Sequence, residues 1–414
     1  MLNGGGGLNP DGLALDLQFA LDKTLTARKG PTPVFTRASS ATFVGSDGLV
    51  QSAAINIPRF DHTSAGVCRG LLIEESRTNL ILQSENFASV LWPKAGGSIS
   101  SVANVEPDGS ANSELFSEDS TTGAHRVFQS FIGTIGTVYT LGVFLKFNGR
   151  AEVALENRSI TGNPLAVFNI QNGTIGTVSA GLTAAIQAYP NGWYRCSITG
   201  TATLAGGNYI INGYSGASTT YTGLNGPAFY LYGAQVEAGS FPTSYIPTTT
   251  SSVVRSADVC SITGANFTSF YNTPEGTLFA GVTPQSVTQI AVVVGVNTTT
   301  FLESHFIYKS DSTANVAGLR WSGASPTTPA TAIPSTTNVA TTFAKIAYAY
   351  KSGSFAMAYN NILAGTASST FTSINPTVMR IGSRDNGLAI NGHISEVKYF
   401  KKRLANSKLQ AITA

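Results

Sequence analysis

The feature of this sequence that most restricts its fold is a succession of short apolar runs separated by turn residues. From Asn86 to about Tyr245 each run is bounded by Gly, Asn or Pro, and no amphipathic helical pattern lies between them. The runs are HRVFQSFIG (125–133), VYTLGVFLKFN (138–148), EVALEN (152–157), LAVFNIQNG (165–173), WYRCSIT (193–199), NYIINGY (208–214) and AFYLYGAQVEAG (228–239). Strands at this spacing predict a two-sheet sandwich of the jelly-roll type.

A second series of the same kind occupies the sequence from residue 257 onward. Its runs are GTLFAGVTP (276–284), QIAVVVGVN (289–297), SHFIYKS (304–310), AGLRWSG (317–323), FAKIAYAYKSG (343–353), SFAMAYNNILAG (354–365), TVMRIGS (377–383) and INGHISEVKYFKKRL (390–404). Ser352-Gly353 and Asn360-Asn361 predict tight hairpin turns, because these residue types tolerate positive φ. Only residues 404–413 have the apolar spacing of a short helix.

Composition supports an all-β chain with more than one core. Of the 414 residues, 43 are Gly and only 11% are charged, so the usual composition of helical proteins is missing. The 42% hydrophobic content disfavours disorder. At roughly 150 residues per domain the length predicts two or three domains.

The residues before the first series predict a thin arm. Gly4–Gly7 suggest a flexible leader, and apolar residues alternate from Leu13 to Leu21 as on a strand with one apolar face. Residues 34–58 predict a hairpin with its turn at Ser46-Asp47-Gly48. An isolated hairpin is marginally stable in water, so we expect the arm to lie against another subunit or protein, with the strand at 13–21 pairing with a neighbour by β-addition.

We therefore predict an all-β chain in which an extended N-terminal arm precedes two β-sandwich (jelly-roll) domains. The segments are a docking arm at 1–85, a first sandwich at 86–247, a linker at 248–256 and a second sandwich at 257–414. The linker prediction rests on Pro247 and the Thr248–Ser252 run, which neither form a full ladder of hydrogen bonds nor carry much apolar surface.

Charge and hydropathy exclude several partner classes. A formal net charge of +3, with no basic run beyond Lys401-Lys402-Arg403, gives no footprint for nucleic acid. No apolar stretch approaches the ~20 residues of a membrane span, and the N-terminus lacks a signal-peptide pattern. Cys68, Cys196 and Cys260 are widely spaced, which favours three buried reduced thiols over a disulfide framework or a zinc site.

The C-terminal third of the chain resembles laminin-G-like, concanavalin A-like jelly rolls. The phrases that carry the resemblance are FAKIAYAY, MAYNN, MRIGSRD and INGHISEVKYFKKRLANSKLQAI, all within residues 343–414. The resemblance implies a fold and says little about function.

A second resemblance covers residues 35–258. FTRASSATFVGSDGLV, NIPRFDH, GLLIEESRTNLILQSENF, NGWYRCSIT and YLYGAQVEAGSFPTSYIPTTTSSVVRSAD resemble phrases that recur in this order in tailed-bacteriophage virion proteins of the head-fibre, head-spike and tail-fibre kind. The resemblance implies an exposed component of a phage particle, commonly trimeric, with an N-terminal segment that docks on the particle.

The residues that could support catalysis are scattered. The four histidines (His62, His125, His305 and His393) lie in separate segments without a metal-binding motif, and GYSGAS (213–218) does not fit a nucleophile elbow. Glu74 and Glu75 are adjacent, so on a strand they face opposite ways and cannot form a glycosidase pair. Instead we expect ion pairs that join Glu74, Glu75 and Arg77 to Arg59 and Asp61. The sequence thus predicts no enzyme, catalytic residue, metal or cofactor.

Glycan recognition is the sharper alternative. Aromatic candidates for stacking on sugars are Trp92, Trp193, Trp321, Tyr214 and Tyr221, and oxygen ligands for a loop ion could come from Asp311, Asp385 and Asn386. Core packing and a β-turn at residues 383–387 explain these residues more simply.

Two hypotheses remain open. One is a non-enzymatic structural protein of the virion surface, assembled in the host bacterial cytoplasm: a homotrimeric capsid decoration or head or tail fibre, anchored to capsid or tail proteins by its N-terminal arm. The other is a receptor-binding protein that recognises host surface polysaccharide through a jelly roll.

Overall fold

A computed structural model describes residues 11–285, 291–298, 303–309, 315–322, 331–338, 342–371, 375–384 and 387–414. It places 53% of the residues in strands and 6% in helices, which confirms the all-β prediction. The N-terminal segment contains β1 (Leu13–Leu17), the one-turn helix α1 (Phe19–Asp22), β2 (Val34–Thr36), β3 (Ala41–Val44), β4 (Val50–Ala53), β5 (Phe60–His62), β6 (Cys68–Ile73) and β7 (Arg77–Asn79).

The first sandwich contains every strand predicted for it, together with several that the sequence analysis missed. Its strands are β8 (Lys94–Ala95), β9 (Gly97–Ala103), β10 (Asn112–Glu118), β11 (Thr122–Ala124), β12 (Arg126–Phe131), β13 (Val138–Phe147), β14 (Glu152–Asn157), β15 (Leu165–Asn169), β16 (Thr174–Val178), β17 (Leu182–Ala188), β18 (Trp193–Thr201), β19 (Gly207–Tyr214), β20 (Thr220–Thr222) and β21 (Gly226–Ala238). One sheet has the order β17-β18-β13-β21-β10-β9 and the other β16-β15-β14-β19-β12-β8, with antiparallel pairing throughout. Their inward side chains form one core that includes Leu141, Val153 and Ile211.

The second sandwich also follows the prediction. β22 (Val253–Arg255) precedes it and pairs with β7 outside its two sheets. Its own elements are β23 (Val259–Thr263), α2 (Gly264–Phe270), β24 (Glu275–Pro284), β25 (Ala291–Asn297), β26 (Glu303–Lys309), β27 (Asn315–Ser322), β28 (Thr331–Asn338), β29 (Ala344–Lys351), β30 (Phe355–Tyr359), β31 (Ile362–Ala367), β32 (Val378–Ile381), β33 (Gly392–Phe400) and α3 (Asn406–Ile412). The predicted turns are present, with positive φ at Gly353, Asn360 and Asn361, and α3 is the predicted C-terminal helix.

The N-terminal segment differs from the predicted thin arm, because β1, β2, β5 and β6 are part of the second sandwich. One sheet has the order β31-β30-β29-β24-β33-β6-β5, and β1 also pairs with β33; the other has the order β2-β23-β32-β25-β26-β27-β28. Leu15, Leu17 and Phe19 are fully buried in the core between these sheets. The alternating strand therefore has its partner in its own chain, which corrects the expectation that it pairs with a neighbour.

The hairpin β3–β4 lies on the other body. Val44 and Val50 pack with Phe144, Trp193 and other aromatic residues on the outer face of the first sandwich. This hairpin falls within the predicted range of 34–58. The preceding strand β2, which lies in the same range, is not part of the hairpin and pairs with β23 instead. Residues 13–79 thus contact both sandwiches.

The predicted linker at 248–256 is also fastened along its length. β22 pairs with β7, and the Thr248 hydroxyl donates to the backbone oxygen of Ile81 at 2.6 Å. Side-chain hydroxyls form hydrogen bonds with backbone groups here. The Thr and Ser run is therefore fixed in place without a continuous ladder of backbone hydrogen bonds. The exact domain boundaries stay predictions.

Candidate functional site

A buried ion network lies where the N-terminal segment meets the start of the second sandwich. Arg59 is central: its guanidinium nitrogens lie 2.7 Å from a Glu74 oxygen and 2.5 Å from an Asp258 oxygen. Arg37 lies 3.2 Å from the other Asp258 oxygen, and Arg255 pairs with Glu74. All five side chains are almost completely buried. We call this set the junction network.

Hydrogen bonds complete the junction network. The Ser244 backbone N–H and hydroxyl donate to Glu74 at 2.8 and 2.7 Å, and the Glu74 backbone N–H donates to Asp258 at 2.8 Å. Arg37 also donates to backbone oxygens of residues 53 and 54. Buried charges are tolerated only when they are paired and hydrogen-bonded in this way.

The environment sets the ionisation of these groups. Burial by itself would raise the pKa of Glu74, but Arg255, Arg59 and the Ser244 hydrogen bonds hold it well below its ordinary value. Burial would lower the pKa of Arg59, whereas Asp258 and Glu74 raise it above its usual range. Glu74 and Arg59 are therefore both charged at neutral pH.

The predicted ion pairs are confirmed in part. Glu74 pairs with Arg59 as expected, and Glu75 pairs separately with Arg77 at 2.5 Å. Asp61 is different: its carboxylate lies 2.7 Å from Nε2 of His393. Sequence reasoning missed Arg37, Arg255 and Asp258, because their partners are far away along the chain and no spacing pattern marks them.

The turn at Gly239 packs closely against this region. Gly239 has φ of 144° and lies against the Arg77 guanidinium, so a Cβ built there would come within 1.4 Å of Nη1. Any larger residue would displace Arg77 from Glu75.

A small cavity of about 50 Å³ adjoins the junction network. Hairpin β3–β4, the β17–β18 turn and residues 244–245 enclose it, and Asp61, Arg195 and His393 are among the polar residues that line it. The volume leaves room for only a few water-sized groups.

The structure places the candidate sugar-binding aromatic residues mostly in the core. Trp92 and Trp193 are fully buried, and their indole N–H groups donate to the backbone oxygens of Gln83 and Val105. Neither ring is available to a ligand. Tyr214 is half-buried at the end of β19.

Tyr221 belongs to a polar cluster that sequence reasoning did not detect. Its hydroxyl donates to Glu118 at 2.7 Å, and Glu118 also holds Arg150 through two bonds of 2.9 and 2.6 Å. The His125 ring stacks on Tyr221 at 4.8 Å, and the Arg150 guanidinium lies 4.3 Å from the centre of the same ring. The Tyr221 ring is thus contacted by a histidine and an arginine of the same chain.

The histidines serve separate local contacts. Nδ1 of His62 lies 3.1 Å from the backbone oxygen of Val44, and His305 stacks on Tyr350 at 3.9 Å inside the second sandwich. Burial, followed by the charge of Arg320, holds the pKa of His305 well below its ordinary value. These positions do not bring the four histidines into one site.

Among the described residues, no group of three or more His, Cys, Asp or Glu side chains could hold a metal ion. The predicted ion ligands Asp311, Asp385 and Asn386 lie outside the described residues, as does the side chain of Trp321. Cys196 and Cys260 are buried free thiols as predicted, and burial raises the pKa of each; Cys68 is only partly buried. No helix in the described ranges is long and apolar enough to cross a membrane.

An exposed apolar surface lies at one edge of the first sandwich. Val90 is 93% exposed and Ile132 is 88% exposed. The residues that form this apolar surface are Leu80, Leu82, Val90, Leu91, Pro93, Phe128 and Ile132. Contiguous exposed apolar patches of this kind mark interaction surfaces more often than chance exposure does.

No protein-family model matches the sequence, and no curated protein matches it. Solved structures similar to part of this chain include the CBM40 module of the Ruminococcus gnavus IT-sialidase bound to alpha2,3 sialyllactose (12% identity, 36% of this chain and 88% of that chain covered, TM-score 0.31). Another is a putative carbohydrate binding protein from Bacteroides ovatus (8% identity, 71% of this chain and 80% of that chain covered, TM-score 0.28). A third is the LG1-3 region of the laminin alpha2 chain (11% identity, 69% of this chain and 66% of that chain covered, TM-score 0.25). Similarity at this level assigns no function to the chain.

Proposed function

We propose that this chain is a non-enzymatic structural protein on the surface of a phage particle, either a capsid decoration or a head or tail fibre. The observation that carries the proposal is the junction network. Arg37, Arg59, Glu74, Arg255 and Asp258 all lie within the phrases that resemble virion proteins. In this chain those phrases fasten the N-terminal segment to the second sandwich, which is a structural task rather than a catalytic one.

The proposed anchoring region is narrower than the arm predicted from the sequence. From Leu13 onward the N-terminal strands are paired within the chain, so attachment to capsid or tail proteins is assigned to the residues before β1. The sandwiches then face outward.

The proposed assembly is a homotrimer, and the apolar surface is its proposed subunit interface. An Ile132→Glu chain should sediment as a monomer while the unmodified chain sediments as a trimer, because a charge would be buried without a partner in the interface. Ile362→Glu is the matched control, since Ile362 is 57% exposed on β31 of the other sandwich. Analytical ultracentrifugation gives the masses. A monomeric unmodified chain, or a trimer that survives Ile132→Glu, would contradict this interface.

The second candidate is adhesion to host surface polysaccharide. Tyr214 is the observation in its favour, because it is half-buried beside an exposed turn, unlike Trp92 and Trp193. Tyr214 is a single half-buried ring, and fold alone does not supply a sugar site.

One experiment on the full chain separates the two candidates. Gold-labelled antibody against this chain should decorate purified particles of the phage that encodes it, whereas the purified chain should bind no polysaccharide on an array of host glycans. Unlabelled particles would contradict the structural assignment, and glycan binding lost on Tyr214→Ala would favour adhesion. A fragment starting at residue 250 is unsuitable for this experiment, because it lacks strands β1, β2, β5 and β6 of the second sandwich.

A further inference from the structure

The cavity beside the junction network contains an incompletely satisfied cation. Arg195 lines it and is only 9% exposed. Its Nη1 donates to the backbone oxygen of Thr243 at 2.8 Å, but the buried Nη2 has no hydrogen-bond partner among the described residues. An unsatisfied buried donor is costly, and more so when it carries charge.

The carboxylates at the cavity are already engaged elsewhere. Asp61 accepts from the Val44 backbone N–H at 2.6 Å and contacts His393 at 2.7 Å. Glu74 is held by Arg59 and Arg255. Neither carboxylate therefore forms an ion pair with Arg195 in the described part of the chain.

The remaining polar surroundings favour a negative charge beside Arg195. Arg69 lies at the exposed rim and forms no ion pair with the described residues. Tyr189 is buried next to Arg195 and accepts a hydrogen bond from its side chain, so the Tyr189 O–H can still donate to a group in the cavity. The guanidinium carbon of Arg195 lies 5.5 Å from the ring centre of Phe144, which closes one side of the cavity.

We propose that this cavity binds one small monovalent anion, a halide or a small carboxylate, held by Nη2 of Arg195. Arginine keeps its charge at all physiological pH values, so a water molecule would satisfy the hydrogen bond but leave the charge unbalanced. The volume of about 50 Å³ suits an anion of that size and excludes a sugar ring. The anion would join β18 to hairpin β3–β4 across the cavity.

Thermal unfolding of the full chain tests this site. Sodium bromide and sodium formate are titrated separately into the unmodified chain, Arg195→Gln and the control Arg158→Gln, whose guanidinium pairs with Glu156 away from the cavity. We expect a saturable rise in Tm of about 2 °C in the unmodified chain and in the control, and none in Arg195→Gln. General salt effects act on all three chains alike. If the rise in Tm saturates at a lower concentration of bromide than of formate, the site is a halide site; the opposite order identifies a carboxylate site.

Equal curves for all three chains, or no saturable rise in the unmodified chain, would overturn the proposal. Crystals of the unmodified chain grown in bromide provide a measurement that does not depend on the variant folding. An anomalous peak within hydrogen-bond distance of Arg195 Nη2 is expected. A cavity that holds only water both in crystals grown in bromide and in crystals grown in formate would also overturn it.

Discussion

Phe19→Ala should destabilise the second sandwich by about 3–5 kcal/mol, because it removes a fully buried ring from the core. Phe19 lies 6.5 Å from the ring of Phe60, and both belong to the segment that the sequence suggested was a separate arm. Urea unfolding gives the magnitude. Hydrogen exchange gives the location: amides of β33 and β6 should exchange faster, while those of β13 and β18 should not.

Leu21→Ala is the matched control for this prediction. Leu21 is two residues further along the same helix and is 65% exposed, so its removal should leave the unfolding midpoint almost unchanged. If Phe19→Ala behaved like Leu21→Ala, the N-terminal strands would be the separate docking arm that the sequence analysis predicted, and not part of the second sandwich. Deletion of residues 1–34 would then leave both sandwiches folded.

The sequence predicted the strands of both sandwiches well, because their period-two pattern and turn residues are local signals. The turns at Gly353 and at Asn360-Asn361 are examples: each is specified by the residues that form it. β16 was missed because all five of its residues, Thr174–Val178, are exposed and leave no apolar face to detect.

The pairing partners of the N-terminal strands were not predictable in the same way. β1 has a clear apolar face, but nothing in Leu13–Leu17 indicates that its partner is Val397–Phe400 at the other end of the chain. Long-range pairing depends on which sheet edge is open, and a single sequence does not contain that information. The apolar pattern therefore predicted the strand correctly but its pairing partner incorrectly.

The junction network shows the same limit for polar residues. The sequence analysis could pair Glu74 with Arg59 because they are close along the chain, whereas Asp258 and Arg255 follow the first sandwich and reach the network only through the tertiary fold. Pro247 and the Thr248–Ser252 run therefore predicted a linker for the segment that contains Arg255. Its function as the second half of a buried ion network was not visible.

Arg59→Met should destabilise the chain by about 3–5 kcal/mol at pH 7, because it removes the cation shared by Glu74 and Asp258 and leaves their buried charges under-compensated. Arg28→Met is the control: Arg28 pairs with Asp22 at the surface, its side chain is 47% exposed, and its loss should leave the unfolding midpoint almost unchanged. Urea unfolding of the three chains measures the difference. Equal midpoints for Arg59→Met and Arg28→Met would mean that the junction network does not stabilise the chain.

The pH dependence of the same variant tests the charge of Glu74 directly. Because its pKa in the folded chain is depressed, Glu74 contributes stability that is complete above its ordinary pKa of 4.5 and is lost as the pH falls toward the depressed value. Without Arg59 the folded pKa should move back toward 4.5, so less of this contribution remains to be lost in acid. The stability gap between the unmodified chain and Arg59→Met should therefore be largest at pH 7 and narrow below about pH 4.5. A gap that stayed constant down to pH 3 would show that Arg59 stabilises the junction by packing alone, and not through its charge on Glu74.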